Sequence, residues 1–66
     1  MEYKVGDYIR DGGNDIARIV EVKDKDHAII VWVWLFRQTV PDSPEYVLDL
    51  VYFTRLSKLE RILCGL

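Results

Sequence analysis

The chain predicts a single, mostly β, antiparallel domain spanning residues 1–66. Three observations carry that expectation. Residues 27–36 (HAIIVWVWLF) form an apolar run rich in β-branched and aromatic side chains, which suit a pleated strand better than a helix. Residues 46–53 (YVLDLVYF) form a second such run. Between and before them lie turn-forming clusters, Asp11-Gly12-Gly13-Asn14 and the loop holding Pro41 and Pro44, which cut the chain into short segments.

Taken in order, residues 5–10 (VGDYIR) read as a first strand after a Gly-containing bend, ended by the glycine turn. Residues 16–23 follow as a second strand whose alternation is imperfect. Ile16, Val20 and Val22 share one face and Ala17 and Ile19 the other, so a bulge is expected near Arg18 or Ile19. Asp24-Lys25-Asp26 makes a short polar connection, giving a hairpin without the favoured Asn-Gly or Asp-Gly. The strand over 27–36 then places Ala28, Ile30, Trp32, Trp34 and Phe36 on one face and Ile29, Val31, Val33 and Leu35 on the other. Residues 37–44 form a loop, because proline cannot donate to a ladder. The strand over 46–53 has Tyr46, Leu48, Leu50 and Tyr52 on one side and Val47, Asp49, Val51 and Phe53 on the other, completing a long central hairpin. The last stretch, 55–63, fits two descriptions. Ser57 and Glu60 make the spacing of a capping box, with Leu56, Leu59, Leu63 and Leu66 near a helical stripe, while a 3₁₀ turn at 56–58 followed by a short strand fits as well.

Two strands apolar on both sides need cover on both sides. A small sheet buries one face well, so the second face must meet another part of a barrel, a second subunit or a partner. Val31, Val33, Leu35, Val47, Val51 and Phe53 are the expected interface residues. Size argues the same way. A 66-residue domain buries only about 60% of its unfolded surface and needs a disulfide, a metal or a second subunit to be robust. Cys64 is the single cysteine, which excludes an intramolecular disulfide and leaves only a bridge between copies. His27 is the single histidine, so a zinc site would depend on carboxylates and no metal is expected. Self-association is the remaining aid, and the hydrophobic share of 50% favours it.

The apolar run is about half the length a membrane-spanning helix needs, and the N-terminal residues lack a basic segment leading into an apolar one. The expectation is a cytoplasmic protein with no membrane contact. Nine basic and eleven acidic residues are interspersed, net −2, which disfavours a nucleic-acid partner. The nearest approach to a basic patch is Arg55, Lys58 and Arg61, the candidate nucleic-acid contacts.

The succession Val5-Gly6-Asp7-Tyr8-Ile9-Arg10, a glycine turn, Ala17-Arg18-Ile19-Val20-Glu21-Val22, Ile30-Val31-Trp32, and Tyr52-Phe53 followed by Leu59-Glu60-Arg61-Ile62 resembles the strand order of small SH3-like barrels. It is similar to the YodC-like family of small bacterial proteins, in the V-G-D opening, the paired glycines, the V-W strand and the closing L-E segment. The resemblance touches most of the chain and departs over residues 33–50, where the family has a brief polar turn. It implies a five-stranded antiparallel SH3-like barrel with a C-terminal helical turn or helix, and no activity. In such a barrel Gly6 allows a bend and Asp7 accepts backbone hydrogen bonds beside it.

No residue set identifies a reaction. Asp11, Asp15, Asp24 and Asp26 lie in turns without the spacing of a calcium loop, and His27 and Cys64 lack catalytic partners. The chain reads as non-enzymatic, with no cofactor. The aromatic residues Tyr3, Tyr8, Trp34 and Tyr52 are the candidates for a ligand groove, while Trp32 and Trp34 share one face and both belong to the core or a subunit interface if that face is inward. The leading expectation is an oligomeric protein-interaction module that binds itself and another protein, in its most concrete version a phage-type inhibitor of a host or defence protein. The alternatives are a nucleic-acid-associated barrel and a small-ligand sequestering protein with its pocket between subunits.

Overall fold

The computed structural model describes residues 2–66. It contains β1 (Tyr8–Arg10), β2 (Ile16–Val22), β3 (His27–Leu35), β4 (Gln38–Thr39), β5 (Glu45–Asp49), a 3₁₀ turn (Leu50–Tyr52), β6 (Thr54–Arg55) and α1 (Lys58–Leu63). All pairings are antiparallel. The order is β4-β3-β2-β1-β6, with β5 paired to β3 beside β4, and β5 is not hydrogen-bonded to β6, so the six-stranded sheet is open.

The core follows from cross-strand rows. Ile9 faces Ala17 across β1 and β2, Ile19 faces Ile30 across β2 and β3, and these side chains are fully buried together with Ala28 and Leu50. Tyr3, Val22, Trp32, Leu48 and Phe53 pack around this group. The even-numbered face of β3 is therefore the inner one at Ala28 and Ile30, while Ile29, Val31, Val33 and Leu35 on the other face are half-buried.

Several elements differ from the sequence-based expectation. The first strand starts at Tyr8, because Val5 and Gly6 form a turn in which Gly6 takes φ +91°, a left-handed conformation a side chain disfavours. Asp7 closes that turn, its carboxylate accepting from the Lys4 N–H at 2.8 Å. Register shifts in β2 fall between Ile16 and Ala17 and between Ile19 and Glu21, on either side of the expected bulge. The first places its extra residue, Val33, in β3, and the second places Val20 in β2. In the β2–β3 connection, Asp24 Oδ1 accepts from the N–H groups of Asp26 (2.8 Å) and His27 (2.9 Å), an Asx turn that serves where Asn-Gly is missing.

The long central strand stops at Leu35. Phe36 and Arg37, with φ of 51° and 65°, form a two-residue turn of the primed kind, and β4 returns along β3 within what the prolines had suggested was loop. Pairing then pauses at Val40–Pro44, where the Trp32 N–H donates to Ser43 Oγ at 2.9 Å instead of to a backbone carbonyl, and resumes in β5. The run over 46–53 is not one strand. Asp49 Oδ1 accepts from the Val51 N–H at 3.0 Å and caps a 3₁₀ turn, which swings the chain to the far edge of the sheet. The C-terminal stretch is a helix with both bonds of its capping box, Ser57 N–H to Glu60 Oε1 (3.0 Å) and Glu60 N–H to Ser57 Oγ (3.1 Å).

Candidate functional site

The expected interface residues fall in three places. Val47 is exposed and lies opposite Ile29 on the outer face of β5 and β3, a face that Val31 shares through its pairing with Glu45. Glu45 and Asp49 flank Val47 on that face, so two copies of β5 paired about Val47 would set Glu45 against Asp49, an unfavourable meeting of like charges. Val33 and Leu35 lie further along β3 on the half-buried side. Val51 is exposed on the 3₁₀ turn, and Phe53 is half-buried, packed on the core with its ring 6.3 Å from that of Trp32. The break at Asp49 is what separates this last pair from the others.

The four aromatic residues expected to share a groove are dispersed. The Tyr3 hydroxyl donates to the Phe53 carbonyl at 3.2 Å, and the Arg55 guanidinium lies 5.1 Å from the Tyr3 ring centre. Tyr8 is covered in the same manner by Arg61 at 4.9 Å, and Tyr52 stands in solvent. Of the four, Trp34 alone lines the principal cleft. The basic residues are correspondingly occupied. Arg55 Nε lies 3.0 Å from Asp7 Oδ2, and another of its nitrogens donates to the Glu2 carbonyl. Only Lys58 of the three candidate nucleic-acid contacts projects freely.

The cleft has a volume of 580 Å³ and was not legible in the sequence. Its floor is a cross-strand row, Thr39 and Trp34 paired across β4 and β3, Ile16 opposite Trp34 on β2, and Arg10 opposite Ile16 on β1. Its far wall is Leu56, Leu63 and the C-terminal Leu66. An ion pair between Arg10 and Glu60, at 3.3 Å, crosses one side. Arg10 and Ile16 stand one residue along from Ile9 and Ala17, which belong to the core, so this row lies outside the core cluster, and α1 walls its far side.

Hydrogen bonding from the Asp26 backbone, and then from His27, holds the Asp24 carboxyl below its usual value, while Asp24 raises His27. Hydrogen bonding from the Ser57 backbone N–H, and then from the Ser57 side chain, lowers the Glu60 carboxyl. Among the described residues, no group of three or more His, Cys, Asp or Glu is placed to hold a metal ion, and no helix is long and apolar enough to cross a membrane.

Fold and site together define a small antiparallel β domain whose hydrophobic surface exceeds what its own core absorbs. No family model, curated protein or solved structure matches the chain.

Proposed function

We propose that this chain is a non-enzymatic protein-interaction module that works as an assembly of copies, occupying the surface of another protein. The observation that carries the reading is the balance of its apolar residues. Among the described residues eight hydrophobic side chains are buried, while nine large ones stand exposed, including Phe36, Val47, Val51, Leu59, Ile62 and Leu63. The accessible surface, 4863 Å², exceeds the about 4,400 Å² that a monomer of this mass presents on average. Large apolar side chains exposed in that number support an interaction site.

Within this reading the architecture is an SH3-like barrel open at one seam. β1 pairs with both the second and the last strand, and the 3₁₀ turn carries the chain from β5 to β6, so closing the β5–β6 seam would complete the barrel. The engagement of Arg55 and Arg61 with tyrosine rings weighs against a nucleic-acid role. The test is the solution mass by light scattering over a dilution series at low and high salt. A dimer or larger species that persists in salt is the expected result. A monomer at every concentration would overturn the self-associating part of the reading.

A further inference from the structure

The turn that joins β3 to β4 is an unusual one. A two-residue turn of this type requires positive φ at both central positions, which Asn and Gly adopt readily and a bulky residue resists. Here the positions are held by Phe36 and Arg37, at 51° and 65°. The Phe36 N–H donates to Asp15 Oδ1 at 3.1 Å, which pins the turn to the start of β2. The β3–β4 pairing imposes this strained backbone and leaves an aromatic ring in water, with Phe36 84% exposed. Backbone strain of this kind clusters at functional sites.

Beside that ring is a hole. Trp34, two residues before Phe36, floors the 580 Å³ cleft, and Asn14 and Ile16, on either side of the Asp15 that pins the turn, line it as well. Its far wall carries Leu63, 77% exposed. Arg37 at the tip makes no ion pair among the described residues, and Glu60 on the rim, already paired with Arg10 at 3.3 Å, keeps a side chain 36% exposed that a second cation can reach.

We infer that Phe36 is the knob of a two-fold self-association, entering the cleft between Trp34 and α1 of a second copy, with Arg37 meeting Glu60 at the rim. The inference rests on the self-associating reading above and specifies its interface. A knob and a hole on one face of a molecule suit an isologous dimer, because one two-fold operation seats both knobs at once and closes the assembly. Knob and hole on opposite faces would give an open chain instead. The ring supplies the aromatic anchor around which such interfaces are built, and Leu63 of α1 faces it from the far wall.

The test uses Phe36→Asn, which suits the left-handed backbone and so keeps the turn, and Leu63→Glu, which spoils the hole. Light scattering over a dilution series gives the mass, and circular dichroism reports that each variant is folded. Either substitution should raise the dimer dissociation constant at least about tenfold, since two copies of the contact are lost. Mixing the two variants should recover part of the association, because the Phe36 of the Leu63→Glu chain still fits the cleft of the Phe36→Asn chain. Arg37→Gln and Glu60→Gln, the latter retaining the capping box, should each weaken the dimer and together weaken it no more than either alone. A wild-type dimer that is unaffected by Phe36→Asn, or variants that fail to complement, would overturn this interface and leave self-association standing. A monomeric wild type would remove the underlying reading itself.

Discussion

Ser43 illustrates how a single side chain holds an irregular sheet together. Both β4 and β5 pair with the same edge of β3, and the gap between them would leave the Trp32 N–H without a partner. Ser43 Oγ accepts that N–H and in turn donates to the Pro44 carbonyl at 2.7 Å. Ser43→Ala should cost about 1 kcal/mol in urea unfolding, the penalty of a part-buried donor left without an acceptor. Phe36 gives the opposite sign. Phe36→Asn should stabilise the chain at high dilution by about 1 kcal/mol, because Asn tolerates the left-handed backbone at lower cost. At His27 the effect is one of pH. Asp24 Oδ1 lies 3.1 Å from His27 Nδ1 and raises the imidazole above 6.5. A raised folded value means that the contribution of this pair is complete below pH 6.5 and is lost as pH climbs through the folded value. Asp24→Asn should move the His27 midpoint, followed by NMR titration, down toward 6.5.

At the level of elements, α1 and the 3₁₀ turn show local polar groups overriding apolar patterning. The run YVLDLVYF reads as an unbroken strand, yet Asp49 caps a turn after its own position and Leu50 N–H donates to the Asp26 carbonyl at 2.7 Å. An aspartate can offer the backbone this alternative to a ladder. The helix is set by its capping box, since it has no buried residue to anchor it. Its stability should therefore follow Glu60. That carboxyl is lowered from 4.5 by the Ser57 bonds, so its contribution is present above pH 4.5 and is lost as pH falls through the lower folded value. Amide exchange should show α1 opening in that acid range, and in Ser57→Ala at neutral pH, while β2 and β3 stay protected. Protection lost from β2 and β3 in step with α1 would show that the helix is integral to the core.

For the whole molecule the margin is small. A chain of 66 residues has about 3–10 kcal/mol of stability. The largest fully buried side chains of the core are Ile9, Ile19 and Ile30. Ile30→Ala should cost about 2–5 kcal/mol and leave much of the population unfolded at 37 °C, as thermal unfolding by circular dichroism would report. Ile29→Ala, one residue away on the half-buried face, should cost far less in a dilute sample. That contrast between adjacent positions reflects which face of β3 the sheet curls around.

The sequence by itself determined the class of the fold, the division of β3 into an Ala28–Ile30 face and an Ile29–Val31 face, the bend at Gly6 and the spacing of the Ser57–Glu60 cap. These follow from period-two alternation, glycine conformation and local hydrogen bonding, all of which act over a few residues. Only the tertiary structure decided where strands end and what their outer surfaces meet. The turn at Phe36 and Arg37 carries none of the residues its geometry favours, so pairing of β4 with β3 had to impose it. The cleft exists because Thr39, Trp34, Ile16 and Arg10 arrive in one row from four strands and Leu56, Leu63 and Leu66 arrive opposite them. No local pattern records such a meeting, since register between distant segments sets it.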